Sequence, residues 1–421
     1  MPERSTLDDP AIGLVGCGGM GHRHLRAYGA LSRVGADGFK LAAVCDPRRE
    51  AAEHAADLVE ELLGSRPSVF ASADELIASG AVEAIDLVTE PSIHHLIAAP
   101  ALAAGIHVLS EKPLGVTVRA CREMVDAAAS TGAILATAEN YRRDAPNRLA
   151  RAVLDSGMLG DIHLMVESNI GGDDGVLISP WRHLRDKGSI ALDMGVHYTD
   201  IFAYLLGDLE RACGVAFIAE PGRVLGPGMM AGGEVEELGP GVMRATGDDS
   251  LVALFETAAG ALIQLTYLPS GPGRKWIQRS LHGRNGSMRV PFDRTGGAVV
   301  VELGERKLSG AELRAELGDF RLHGVTADFF GPEGTEYELP FAEVDAATIA
   351  IELDDFVGAL IEGRAPEVDG LGGLLAVAGV WAVAESRALG GFVQIADIAD
   401  GTISSVQDPI DAAIGLLTKA S

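Results

Sequence analysis

The segment GLVGCGGMGHRH, residues 13 to 24, places five glycines within nine positions between an apolar run and a helical run. Of these, Gly16, Gly18 and Gly21 fit the pattern G-x-G-x-x-G, with Gly19 and Met20 completing the turn. In a strand-turn-helix context the first glycine makes the tight turn, the second lets backbone approach a pyrophosphate, and the third lets helix and strand pack closely. Unpaired N–H groups and the helix dipole then favour a diphosphate at this helix N-terminus. Such a turn commits the chain to begin as a doubly wound α/β domain.

The following residues continue that rhythm. Short apolar runs (IGLV, KLAAVCD, AIDLVT, IHVLSE, AILATAE) alternate with helical stretches such as 48–63 and 121–129. Continuous apolar strands, without in-out alternation, signal a parallel sheet covered by helices on both faces. Residues 1–138 are therefore expected to form a Rossmann dinucleotide-binding domain. Asp46 ends the second run, where an acid can accept hydrogen bonds from both hydroxyls of the adenine ribose and repel a 2′-phosphate. It lies 25 residues beyond Gly21, a long spacing that the inserted SRVGADGF accounts for. NAD is favoured over NADP, although Arg48 and Arg49 leave NADP open as a second cofactor.

Beyond about residue 150, strands follow one another directly. SLVALFET-AAG-ALIQLTYL and QRSLHG-RNG-SMRVP read as hairpins, the second with Asn285-Gly286 in a turn that needs positive φ. Residues 139–421 are expected to be an α+β substrate-binding and oligomerisation domain on a large, mainly antiparallel open sheet. The stretch 220–247, rich in Gly and Pro, reads as one long loop. The apolar run 370–384 stops at Glu385 and reads as a buried helix, too short and glycine-rich for a bilayer span.

Composition narrows the partners. The 34 Lys and Arg against 60 Asp and Glu give a net charge of -26, which repels nucleic-acid backbones and anionic membrane surfaces. Four scattered cysteines without a C-x-x-C pair argue against a zinc ribbon or disulfide framework and for a reducing cytoplasm. The polar N-terminus lacks the apolar core of a signal peptide. Adjacent His94 and His95 point in different directions on a helix and find no third ligand at suitable spacing, so no metal is expected; His22 and His24 read as helix-start residues.

Three further segments carry a family resemblance: TEPSIHHLIAAPALAAGIHVLSEKPLG (89–115), NYRRDAPNRLARAVLDSGMLGDIH (140–163) and WRHLRDKGSIALDMGVHYTDIFAYLLGD (181–208). The first resembles the T-x-P-x-x-x-H and A-G-x-H-V-x-x-E-K-P signatures of the Gfo/Idh/MocA oxidoreductases, and the others resemble that family's later blocks. The resemblance implies that Thr89, Pro91, His95, Glu111, Lys112 and Asn140 serve the cofactor. It also implies that Lys112 reaches both the nicotinamide ribose and the substrate oxygen. Asp193 and His197, four apart and hence on one helix face, take the positions of its acid/base dyad. Histidine suits that task because its unperturbed pKa, about 6.5, lies near working pH. Tyr141, Trp181, Arg182 and His183 are candidates to shape a sugar or polyol pocket. The chain departs from the family where RDKGSIALD keeps only Gly188 and where Ser92 stands in place of a common Asn.

The implied reaction is oxidation of a secondary hydroxyl of a sugar, sugar derivative or cyclitol, with a homodimer or homotetramer as the assembly. Two alternatives stand beside it. One is a redox-neutral glycoside cleavage that oxidises, eliminates and re-reduces, needing a further base such as Tyr141, Tyr198 or His183. The other is a non-catalytic regulator, which retention of Lys112, Asp193 and His197 disfavours.

Overall fold

The first apolar runs become strands because each is enclosed on both faces. In the computed structural model, which describes residues 7–229, 235–271 and 273–417, the strands are β1 (Ala11–Val15), β2 (Lys40–Cys45), β3 (Ser68–Phe70), β4 (Ala84–Leu87), β5 (His107–Glu111) and β6 (Leu135–Ala138), of which β3 alone is a partly exposed edge strand outside those runs. All pair in parallel, in the order β3-β2-β1-β4-β5-β6. Chain order reverses between β1 and β4, and ligands of such sheets bind beyond the strands' carboxyl ends at that switch point.

The core of this first unit contains Ile12, Leu14, Leu25, Tyr28 and Leu31. A distant segment completes it: the helix Phe341–Glu362 packs on the helix Gly19–Arg33 and contributes Ile349, Leu353 and Phe356. The first unit thus comprises the described residues to Gly115, together with Ala120–Ala145 and Arg321–Gly373. A single division at residue 138 does not capture this, because the chain returns to cover an apolar helix face that local sequence leaves bare.

The second unit comprises Val116–Arg119 and the described residues of Pro146–Phe320 and Leu374–Ser421. Its strands are β7 (Ile162–Ile170), β8 (Leu209–Phe217), β9 (Gly222–Val224), β10 (Glu237–Gly239), β11 (Val242–Arg244), β12 (Ser250–Thr257), β13 (Leu262–Leu268), β14 (Trp276–Gly283), β15 (Ser287–Val290), β16 (Val300–Leu303), β17 (Arg306–Ser309) and β18 (Val393–Gln394). Nine of them form one sheet, β17-β16-β15-β14-β7-β13-β12-β8-β18, antiparallel except where β13 meets β7. One face lies under the helix Ile190–Leu206, with Phe202 against Phe255 and Tyr198 against Tyr267. On the other face Val215, Val252, Leu254, Leu262 and Trp276 share an orientation by register and are 37% to 58% exposed. The long apolar run becomes the helix Gly370–Leu389, of which 67% of the most apolar window is buried within the protein.

Two local expectations are corrected. The stretch 220–247 is not wholly irregular: its described residues include β9, β10 and β11, which form a small sheet in the order β10-β11-β9, held by short antiparallel pairings that carry no sequence period. The Asn285-Gly286 turn does join antiparallel β14 and β15, but neither residue has positive φ. Glycine is needed there for a different reason, since a Cβ on Gly286 would stand 2.2 Å from the Glu302 carbonyl oxygen.

Candidate active site

Sheet order alone gathers the expected cofactor residues. The glycine turn follows β1, Asp46 follows β2, Thr89 follows β4, Glu111-Lys112 closes β5 and Asn140 follows β6, so all stand at the carboxyl ends of five adjacent strands. Within the turn the three glycines have separate jobs. Gly16 has φ +103° and a Cβ there would meet the Val88 carbonyl at 2.7 Å. On Gly21 a Cβ would lie 2.1 Å from the Gly16 carbonyl, so this glycine lets helix and strand close together. Gly18 and Gly19, by contrast, face open space, which is what backbone beside a diphosphate requires. Gly18 caps the helix with no side-chain hydrogen bond, and Met20 lies in the first turn.

Asp46 is buried and accepts from the Cys17 backbone N–H at 2.9 Å and the Arg48 backbone N–H at 2.9 Å. Arg48 also donates from Nε and Nη2, each at 3.0 Å. Burial alone would raise its pKa; the Arg48 and Cys17 hydrogen bonds outweigh it and hold the carboxyl below its ordinary value. The Arg48 side chain is thereby turned onto Asp46, while Arg49 is exposed and lies near Glu53.

Three expected cofactor residues end in buried polar atoms with no hydrogen-bond partner among the described residues: Thr89 Oγ1, both ring nitrogens of His95, and Asn140 Oδ1. Such atoms are costly unless something satisfies them. Together with the open backbone at Gly18, they fit a polar dinucleotide laid along these strand ends. Burial, and to a lesser extent neighbouring His94, lowers the His95 pKa, so its ring is neutral and offers one donor and one acceptor. Pro91 opens a short 3-10 turn before the helix His94–Ala103. His94 is structural: Nε2 lies 3.2 Å from the Thr89 carbonyl, and Nδ1 lies 3.2 Å from both Ser110 Oγ and the Leu114 carbonyl. Lys112 precedes Pro113 through a cis peptide bond. Tyr141, buried, opens the turn Tyr141–Arg143 in this same unit.

In the second unit Asp193 and His197 lie one turn apart and buried on the helix Ile190–Leu206. The Ser189 hydroxyl caps this helix by accepting from Leu192 N–H at 3.2 Å. Arg182 donates from Nε to Asp193 Oδ2 at 3.1 Å and from Nη1 to Ser179 Oγ at 2.6 Å, with its guanidinium 4.1 Å over the Trp181 ring. Asp193 thus carries an ion pair that sequence reading did not foresee.

His183 and Tyr198 each make contacts within the second unit, and His183 Nδ1 is buried with no hydrogen-bond partner among the described residues. Nε2 of His183 accepts from Leu177 N–H at 2.9 Å, and burial, with Arg223 nearby, pushes its pKa down to about 4. Its backbone carbonyl accepts from the N–H groups of Thr246 and Gly247. The fully buried Tyr198 hydroxyl accepts from Asn169 Nδ2 at 2.9 Å. Sequence reading also missed a buried cluster in the first unit, formed by His24, Asp86, Glu111 and Glu352. A histidine at a helix start and an aspartate within an apolar strand were its only local signals.

Known proteins match this arrangement. Residues 11–139 match the model of an oxidoreductase family with an NAD-binding Rossmann fold, and residues 147–289 match the GFO/IDH/MocA C-terminal domain. The chain is 27% identical over 370 residues to levoglucosan dehydrogenase of Pseudarthrobacter phenanthrenivorans, covering 84% of this chain and 89% of that protein. It is 29% identical over 287 residues to inositol 2-dehydrogenase of Azotobacter vinelandii, covering 66% and 73% respectively. A solved structure of levoglucosan dehydrogenase in complex with NADH and L-sorbose superposes with a TM-score of 0.73 at 22% identity, covering 92% of this chain and 99% of that one. The chain belongs to the Gfo/Idh/MocA oxidoreductase family, and NAD is its cofactor.

Proposed function

We propose that the protein oxidises a secondary hydroxyl of a sugar, sugar derivative or cyclitol. The observation that carries this reading is the presence, in a chain of this family, of Lys112 at the carboxyl end of β5 and of Asp193 and His197 one helical turn apart. Both relatives named above are dehydrogenases, one of levoglucosan and one of inositol.

The nicotinamide supplies a hydride acceptor at C4, taking two electrons with the hydrogen of the carbinol carbon. His197 takes the hydroxyl proton as that C–H bond breaks and the carbonyl forms. Lys112 stabilises the developing alkoxide through its ammonium. Asp193, which pairs with Arg182, orients the imidazole. Gly18, Thr89, His95 and Asn140 hold the dinucleotide, and Asp46 holds the adenine ribose diol in preference to a 2′-phosphate. Trp181 and Arg182 of the second unit, and Tyr141 of the first, are the residues assigned to sugar recognition.

A second copy of the chain covers the apolar sheet face around Val252 and Leu254, giving a dimer or tetramer. The free thiols of the four cysteines suit the reducing cytoplasm.

Incubation with NAD and a panel of polyols, sugars and glycosides tests the reaction. Net NADH absorbance with a polyol or sugar supports it. Cleavage of a glycoside without net NADH would replace it with the redox-neutral route.

A further inference from the structure

Behind the edge that bears Lys112 lies a fully enclosed polar cluster assembled from four elements. His24, on the helix Gly19–Arg33, places Nδ1 2.9 Å from Asp86 Oδ2 of β4 and Nε2 3.2 Å from Glu111 Oε1 of β5. Glu352 reaches it from the helix Phe341–Glu362; the donor atoms of His24, Glu111 and Glu352 lie within 4.8 Å of one another. Glu352 is 2% exposed, and neither of its carboxylate oxygens receives a hydrogen bond from the described residues. An ionised carboxylate is an acceptor only, and one buried without a donor is strongly disfavoured. Two carboxylates within 4.8 Å of each other in a buried site repel, which favours the neutral form of one of them.

We propose that Glu352 is a neutral carboxylic acid packed beside Glu111 and acts as a positioning residue, fixing the end of β5 on which Lys112 sits. The importance of that position rests on the catalytic reading of Lys112; the protonation of Glu352 does not.

Charges around the group agree with this. Tyr28 and His24 face it from the helix Gly19–Arg33, Glu111 from β5, and Glu139 and Arg143 from beyond β6. Burial, then Glu111 and Glu139, pushes the Glu352 pKa well above the ordinary carboxyl value against the opposing pull of His24 and Arg143. Burial would lower the His24 pKa, but Asp86 and Glu111 raise it well above the usual value, leaving an imidazolium that donates from both nitrogens. That imidazolium holds Glu111 below the ordinary range despite burial. A divalent cation could use the same three donors, with Asp86 supporting the histidine. It would need the Nε2 lone pair, however, and Nε2 stands at hydrogen-bond separation from Glu111.

Infrared difference spectroscopy, thermal melts across pH and metal analysis test the assignment on the intact chain. The wild type should show a protonated-carboxyl C=O band that Glu352→Gln removes. An acid whose folded pKa is raised costs stability as pH climbs from its unfolded value, about 4.3, toward the folded one. Wild type and Glu352→Gln should therefore differ by a constant offset in Tm below about pH 4, with the difference moving against wild type as pH rises. Absence of the band, parallel melts, or one equivalent of tightly bound metal lost in Glu352→Gln would overturn the neutral-acid assignment. For positioning, Glu352→Leu should lower kcat about tenfold to a hundredfold with a smaller change in NADH Kd, and Glu352→Gln should restore kcat. Equal kcat in Leu and Gln variants would overturn positioning. A wild type that shows the band but fails to bind NADH would instead contradict the NAD reading.

Discussion

The two sheets solve burial differently. In the parallel sheet the strands β2-β1-β4-β5-β6 are largely enclosed on both faces, and polar ground lies open at their carboxyl ends. There the sheet leaves Thr89, His95 and Asn140 with polar atoms unpartnered among the described residues and Gly18 in open space. The nine-stranded sheet buries Phe255, Ile263 and Tyr267 on one face, under the helix that carries Asp193 and His197. Its other face shows Val252 and Leu254 to solvent. On the proposed reading, the first unit holds the dinucleotide and Lys112 at a strand edge, and the second offers side chains on one covering helix plus an apolar face for a second copy. Substitutions should therefore separate dinucleotide binding, proton transfer and assembly.

Removing the ammonium at the first unit's strand edge should have the largest consequence. Lys112→Ala is expected to lower turnover by roughly two to four orders of magnitude and to weaken NAD binding, read by steady-state kinetics and NADH fluorescence. Turnover near wild type would detach the chemistry from that edge.

The glycine turn gives a sharper division within one motif. Gly18→Ala places a methyl in open space, so Tm should hold while NADH affinity falls by about tenfold or more. Gly21→Ala drives a methyl into the Gly16 carbonyl and should cost about 1–3 kcal/mol of stability, seen in denaturant melts. If both variants behave alike, the turn is not divided between ligand and packing roles.

Much of this contrast was legible in the sequence. Parallel strands announce themselves as apolar runs, the glycine spacing marks the turn, and Asp46 falls at a strand end. What escaped depends on residues far apart in the chain. The helix Phe341–Glu362 joins the first unit across more than three hundred residues, as the Arg23–Asp345 ion pair illustrates. Glu352 consequently meets His24 and Glu111 with no local pattern to signal it. β3 has three residues, too few for a period to show, and Gly286 answers to the carbonyl of Glu302 on a neighbouring strand, not to its own φ.

A smaller effect is expected at the adenine end. Asp46→Ala should narrow the preference for NAD over NADP by about tenfold, the loss of roughly one charged contact. Because hydrogen bonds hold the Asp46 carboxyl below its ordinary value despite burial, the wild-type preference should stay level across neutral pH and weaken only in acid. A wild-type preference for NADP would hand the ribose to Arg48 or Arg49.

Least costly to the single chain, a charge on the exposed sheet face should affect assembly alone. Leu254→Lys is expected to shift light scattering toward monomer while leaving NADH binding unchanged. An unaltered oligomer would place the contact elsewhere, and a monomeric wild type would remove it.

The division of labour between the two units is tested most directly by His197→Ala, measured for NADH affinity by fluorescence titration and for turnover on the same preparation. The account predicts unchanged NADH affinity with turnover reduced by roughly two to four orders of magnitude. Near-normal turnover, or loss of NADH binding in step with turnover, would contradict it.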